Sequence, residues 1–357
     1  MNLTCRRAVL AMLLFISIFA NPTRGQDYYS GLTYGSEAMF TPLQVLINNG
    51  YDILQLGNRP REILELPYTQ ASANVWNSVT HPRKTITEYG VHKFISNELF
   101  PLSFSIKGMQ WWPNYNGHFI GGGMTYRKLV DWYKYHHYPK PKIFGLVTTA
   151  AYHYLHEVVE NHYYEGYNAD AVADLLFFNL GGVILFSNDR VARFFRKKLY
   201  MSDWSSQPSF DLSGKTLQNS GQHFTIKADL PFSRTWQLFY TFGMDGVLGL
   251  TYRIDREYAV SFGGGFIRRE LVDVDKARNV KTVKLIGTLG FYYDRNNSLL
   301  ASLKIGNHID YQAVVNVYPG IIKIGKFSPG VWAALDKNGK SMIGISTIWI
   351  PGLAIKN

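Results

Sequence analysis

Glu157, Glu160, Asp170 and Asp174 interrupt stretches whose apolar residues otherwise recur at helical spacing. His153, Glu157 and Glu160 stand at i, i+4 and i+7, so a helix over Phe144–His162 presents all three on one face. Acidic side chains on a buried helix face are costly unless they are paired. Asp170 and Asp174 lie one turn apart on a second helical stretch, which opens at Asn168 and continues through Asn179 to Gly181-Gly182. If the two helices form a hairpin, these carboxylates converge, with His118 and Arg127 as partners from the preceding segment. Carboxylates and histidine so arranged can bind a divalent metal, or can pair a general acid with a general base by raising each other's pKa. The residues assigned to chemistry are therefore His118, Glu157, Glu160 and Asp174, with Arg127, His153 and Asp170 in binding roles. Two structural roles compete: Asp170 also suits a helix N-terminus, and an Arg–carboxylate network can simply rigidify a bundle.

Other motifs narrow the chemistry. Gly121-Gly122-Gly123 follows Gly117-His118-Phe119 but lacks the Lys-Ser/Thr ending of a phosphate loop and the spacing of a dinucleotide fingerprint, so close backbone packing is its expected role. His156-Glu157-Val158-Val159-Glu160 resembles a zinc-protease helix with Glu in place of the second His, a change that removes the pattern's specificity. No Ser-His-Asp arrangement and no nucleic-acid motif stands out. The sequence names neither a cofactor nor a particular metal.

The elements that must hold these residues begin with a leader. Arg6 and Arg7 precede an apolar run from Ala8 to Ala20 that only Ser17 breaks, and Asn21, Pro22 and Gly25 follow. This predicts a secretory signal peptide over residues 1–25, shorter than the ~20 apolar residues of a spanning helix. Cys5, the only cysteine, precedes the run, so the exported chain is expected to form no disulfide and no thiolate site. The formal charge of +11 includes Arg6, Arg7 and Arg24 of that leader; the remaining basic excess suits an anionic membrane surface. The leader and the strands described below direct it there, to membrane lipid or lipopolysaccharide rather than nucleic acid.

The hydrophobic period changes from helical to two near Trp204, across a Ser-, Gln- and Gly-rich linker from Ser202 to Ser220. Phe224, Ile226 and Ala228 alternate with Thr225, Lys227 and Asp229, and Leu299, Ala301, Leu303 and Ile305 alternate with Ser298, Ser302 and Lys304. Roughly nine or ten such runs are spaced as an antiparallel meander. Asp294-Arg295-Asn296-Asn297 reads as one turn, and Asn338-Gly339 as a type I′ hairpin. The expected fold is α+β: a helical domain over residues 26–203, then an antiparallel meander over 204–357 closing into an outer-membrane β-barrel. A soluble lipocalin-like barrel with its apolar face inward is the alternative. Phe144–Val159 and Leu175–Phe186 are apolar but too short to span a bilayer. Asp189–Leu199 has a stripe of Val191, Phe194, Phe195 and Leu199 beside Arg190, Arg193, Arg196, Lys197 and Lys198, so it reads as an interfacial helix with Arg193 and Lys197 on anionic headgroups, or as an ordinary solvated one.

The ordered set Gly117-His118, Glu157 with Glu160, and Asp174-Leu175-Leu176 followed by Gly181-Gly182 resembles an uncharacterised bacterial envelope family that joins a helical domain to β-strands. It is also distantly similar to VanZ-like proteins, which share a Gly-His, Glu, Asp order on short apolar helices. The similarity covers Asn116–Phe186. It implies an envelope location and a shared site, and it brings no reaction. The expectation is a protein of the outer membrane, or otherwise of the periplasm, with a structural or amphiphile-binding role. An envelope hydrolase or lipid-modifying enzyme using the carboxylates and His118 is the alternative.

Overall fold

The computed structural model describes residues 27–57, 61–101, 112–275, 280–306, 311–347 and 351–356; the leader expected over 1–25 lies outside them. The fold is α+β. Its helices are α1 (Pro42–Gly50), α2 (Tyr68–Thr80), α3 (Pro82–Tyr89), α4 (Gly122–Tyr135), α5 (Pro141–Asn161), α6 (Ala169–Ser187) and α7 (Asp189–Lys198), with shorter turns between them. Thr41 caps α1 by accepting from the Gln44 amide, and Asn168 caps α6 by accepting from the Ala171 amide. Helix α5 packs on α1, α2 and α4, and α4 packs on α6.

Glycines set the α4–α6 contact. A Cβ on Gly123 would lie 2.5 Å from the Gly182 carbonyl oxygen, and one on Gly182 would lie 2.3 Å from that of Phe119. The glycines flanking the site thus serve close backbone approach, as their lack of a phosphate-loop ending predicts. Helix α6 differs from expectation in length. It runs unbroken through Asp174 and Asn179, so by length and composition it is long and apolar enough to cross a membrane, where the stretch Leu175–Phe186 alone is not. Somewhat more than half of it (56%) is buried against its neighbours, as in a core helix.

Among the described residues thirteen strands form one sheet: β1 (Ser202–Asp203), β2 (Ser209–Asp211), β3 (Thr216–Gln218), β4 (His223–Asp229), β5 (Trp236–Gly243), β6 (Asp245–Arg253), β7 (Tyr258–Asp275), β8 (Val280–Arg295), β9 (Ser298–Gly306), β10 (Ala313–Val317), β11 (Gly330–Leu335), β12 (Ser341–Ser346) and β13 (Gly352–Lys356). From β4 to β13 each strand pairs antiparallel with the next, the expected meander. The segment expected to be a linker instead supplies the sheet's margins: β1 pairs with β4, β2 pairs parallel with β13, and β3 pairs with β2. Among the described residues no ladder joins β1 to β3, so the sheet is open. It is nevertheless curled around the chain between β1 and β2. Trp204 packs on Phe239 of β5 and Tyr292 of β8, while the buried Gln207 accepts from Ser346 Oγ of β12 at 2.6 Å and donates to the Val317 carbonyl of β10 at 3.2 Å.

The outer face of this sheet is apolar and exposed, while the inner face is mixed, with Phe239, Val247, Tyr292 and Trp332 buried among polar residues. Thr251, Ser261, Ser302, Asn316 and Ser346 are buried, whereas Leu248, Phe262, Leu289, Phe291, Ile343 and Leu353 are exposed. The buried charges on the inner side are paired: Lys227 with Asp294 at 2.6 Å, and Lys304 with Asp245 at 2.6 Å. Helices cover part of the outer side near β4 and β5, where Met124 and Phe186 meet Phe224 and Phe242.

One of the two expected turns holds and the other departs from expectation. Asn296 and Asn297 both have positive φ and form the two-residue link between β8 and β9, the geometry expected of Asn338-Gly339. The β11–β12 hairpin is wider. Only Gly339 has positive φ there, and the Asp336 carboxylate accepts from the amides of Asn338 and Lys340. An Asx-type side-chain bond has replaced the tighter turn.

Candidate metal centre

Among the described residues three π-helical segments bring polar side chains into the helical core: Phe94–Leu99 carries Glu98, Trp112–Gly121 carries Asn114 and His118, and Asp174–Phe178 carries Asp174. A π turn widens the helix and shifts the register of every later side chain, and such turns are frequent at functional sites. Helix α5 supplies His153, His156, Glu157 and Glu160 from the other side, and a 3₁₀ turn, Asp52–Gln55, supplies Asp52.

Ligand atoms of His118, His156 and Glu157 lie within 4.8 Å of one another, as do those of Glu157, Asp170 and Asp174. Glu157 belongs to both groups. His118 Nε2 is 3.2 Å from Asp174 Oδ2, and its Nδ1 is 3.2 Å from Asn179 Oδ1. His156 Nδ1 is 2.8 Å from Asp52 Oδ1, while its Nε2 is 3.5 Å from Glu160 Oε2. The rings of His118 and His156 meet edge to face at 5.4 Å, and His153 tilts against His118 at 5.6 Å. Asp170 hydrogen-bonds the Glu98 carboxyl, which also accepts from the Tyr89 hydroxyl.

Burial dominates the titration of the cluster. It pushes His118 down to about 3, with the neighbouring His156 adding to the effect, and it holds His153 well below the ordinary imidazole value. Burial also works against charge on His156, but Asp52 and then Glu160 outweigh it and hold that imidazole well above its ordinary value. Asp174 is raised well above the carboxylate range by burial and then by Asp170, Glu157 and Glu160. Glu98 is raised by burial as well. Burial and neighbouring charge thus perturb several groups of one cluster in opposite directions, a pattern that is frequent at functional sites.

The structure brings together His118, His153, Glu157, Glu160, Asp170 and Asp174. It does not bring in Arg127, whose guanidinium faces another part of α4. There it bonds Asp189 at 2.6 Å and approaches Asp131 at 3.7 Å and Asp27 at 3.9 Å. The physical reason is position on the helix, since Arg127 follows Gly122 by five residues, about 140° around the axis. Arg193 and Lys197 lie on α7, with Lys197 exposed and Arg193 half-buried. The basic residues of that helix's last turn, Arg196 to Lys198, complement its dipole. Its apolar stripe is divided: Phe194 is 52% exposed, whereas Phe195 packs on Phe186 at 5.1 Å and is not free to enter a membrane.

Sequence reasoning left Asp52, Glu98, His156 and Arg268 out of the site. His156 had a signal, its i, i+4 relation to Glu160. Arg268 is a charge at a buried position of an alternating strand; it stacks on Trp112 at 5.7 Å, and its field acts on His118. Glu98 and Asp52 had none, because π and 3₁₀ turns break the period by which faces are assigned.

A second polar cluster lies on the inner side of the sheet. His223 Nδ1 approaches Asp245 at 3.3 Å, its Nε2 lies 3.1 Å from Lys304 Nζ, and both His223 and Lys304 line a cavity of about 70 Å³ with Ser220, Asn316 and Trp332.

Compared with known proteins, the chain matches no family model, no curated protein and no solved structure.

Proposed function

We propose that the chain is a bacterial outer-membrane protein whose curled sheet stands in the bilayer as a barrel, with the helical domain packed along one wall in a structural or amphiphile-binding role. The observation that carries this reading is the exposed apolar outer face of the sheet. A soluble lipocalin-like barrel turns its apolar side chains inward, whereas here Leu248, Phe262, Leu289, Phe291, Ile343 and Leu353 are exposed over hydrogen-bonded polar groups. Strands β6 to β9, of 9 to 18 residues, meet the ~9–11 residues that a membrane strand needs. Strands β10 to β13 are shorter, at 5 or 6 residues. The exported, cysteine-free chain expected from the leader and the likeness to an envelope family agree with this location. Lipid or lipopolysaccharide is then the proposed partner of the outer face, with exposed Lys197 and half-buried Arg193 of α7 as the proposed contacts to anionic headgroups.

Fractionation tests this reading. The protein should sediment with the outer membrane, resist salt extraction, and migrate faster in detergent gels before heating than after it. Release into the soluble periplasmic fraction would overturn it.

The second reading, an envelope hydrolase or lipid-modifying enzyme, draws on the raised carboxyl of Asp174 beside the neutral imidazole of His118. It requires turnover of phospholipid or lipopolysaccharide by the intact protein and its loss in Glu157→Gln.

A further inference from the structure

We propose that the helical cluster is a binding site for one divalent transition-metal ion, with His118, His156, Glu157 and Asp174 as ligands and Asp52 and Asn179 as the groups that orient the two imidazoles.

The two imidazoles have oxygen neighbours on the side away from the carboxylates. His118 Nδ1 lies beside Asn179 Oδ1, and His156 Nδ1 lies beside Asp52 Oδ1 at 2.8 Å and the Asn49 carbonyl at 3.2 Å. These oxygens suit the tautomer that carries its proton on Nδ1. Nε2 is left toward the carboxylates, and metal-bound histidines are held in this manner by an outer oxygen.

In that tautomer His118 Nε2 turns a lone pair toward Asp174 Oδ2 at 3.2 Å, a contact that either a proton on Asp174 or a cation between the two atoms satisfies. Asp174 is 4% exposed, and its other oxygen, Oδ1, has no hydrogen-bond partner. A metal ion would engage both kinds of atom at once.

The donor atoms also converge: those of His118, His156 and Glu157 lie within 4.8 Å of one another, as do those of Glu157, Asp170 and Asp174, so Glu157 joins two groups of metal-ligand chemistry. Imidazole with carboxylate, and no thiolate, favours zinc, manganese or ferrous iron over calcium or magnesium.

The test uses the full chain purified in detergent, stripped with a chelator and titrated with Co²⁺, Zn²⁺ or Mn²⁺ alone. One ion per chain should bind, Co²⁺ should show ligand-field absorption, and the thermal midpoint should fall on stripping and return on reloading. Asp174→Asn should lose binding. Asp52→Asn alters only an orienting group and should weaken it 10- to 100-fold. The site is overturned if no ion binds at millimolar concentration and the chelator leaves the midpoint unchanged. It is equally overturned if Asp174→Asn binds metal as the parent does, or if Asp174→Asn reproduces the loaded protein's midpoint with no ion present, since a shared proton would then fill the gap.

Discussion

The sheet and the helical domain both bury charge, and they do so in opposite ways. On the inner side of the sheet each lysine has its aspartate: Lys227 meets Asp294, and Lys304 meets Asp245 with His223 alongside. In the helical domain, carboxylates gather around histidines whose own charge burial suppresses, except at His156. The sheet's interior pairs these charges beside buried Phe239, Tyr292 and Trp332 and is matched by an apolar exterior. The helical cluster carries an excess of acid within an apolar surround, and it is there that something further is called for. The comparison separates a polar interior that supports a barrel from one arranged to receive a proton or a cation.

The largest effect should come from breaking the balance in the sheet. Asp294→Ala leaves Lys227 buried and unpaired and should cost ~3–5 kcal/mol in denaturant unfolding, whereas Lys227→Met with Asp294→Leu should come much closer to neutral. If the single and double variants cost the same, the pair is not a closed unit.

Next is the apolar exterior. Leu289→Arg should destabilise the protein folded into vesicles by ~2–4 kcal/mol, as arginine near a bilayer midplane does, with little cost in a soluble fold. An unchanged folding midpoint in lipid would place this face in water.

A somewhat smaller effect belongs to the contact that holds the helical cluster together. Gly182→Ala sets a methyl 2.3 Å from the Phe119 carbonyl oxygen and should cost ~1–3 kcal/mol by forcing α6 from its neighbours. Gly339→Ala meets no neighbouring atom within 4 Å, so its cost should be confined to the strain of positive φ in the hairpin. Thermal melts of the two variants compare packing with backbone strain.

The smallest effect is a pH dependence on the far side of α4. Burial, only partly countered by the Tyr28 amide and Arg127, raises Asp131 to about 6. The folded state therefore holds this proton between pH ~4 and 6 while the unfolded chain does not. The stability it contributes is present below pH ~4 and is lost as pH rises through 6. Asp131→Asn should gain on the order of 1–2 kcal/mol over the parent at pH 7.5 and little at pH 4, read from urea midpoints at the two pH values.

The strands were legible because alternation is a two-residue signal: β4, β8 and β9 cover the runs where Thr225, Lys227, Ser298 and Ser302 mark the inner phase. Closure was not legible. The residues that decide the sheet's margins, Ser202–Asp203, Ser209–Asp211 and Thr216–Gln218, form strands of two or three residues, too short for any period. Half of the cluster followed from the α5 face, since His153, Glu157 and Glu160 obey ordinary helical spacing. His118, Asp170 and Asp174 followed as partners expected of a helical hairpin, whereas Asp52 and Glu98 came from 3₁₀ and π turns and Arg268 from across the domain border, where contacts distant in sequence set the direction of the side chain. Arg127 went the other way. Its charge suited the cluster, but its place on α4 gave it to Asp189.

The apolar outer face of the sheet is tested most directly by nitroxide labels on single cysteines at Leu289, Phe291 and Ile343, in a chain whose own cysteine, Cys5, lies in the expected leader. In protein reconstituted into lipid vesicles, collision with oxygen should exceed collision with a water-soluble nickel chelate at all three sites, and label at the exposed turn residue Lys337 should show the reverse. Collision with nickel at Leu289, Phe291 and Ile343 equal to that at Lys337 would contradict a sheet whose outer face meets lipid.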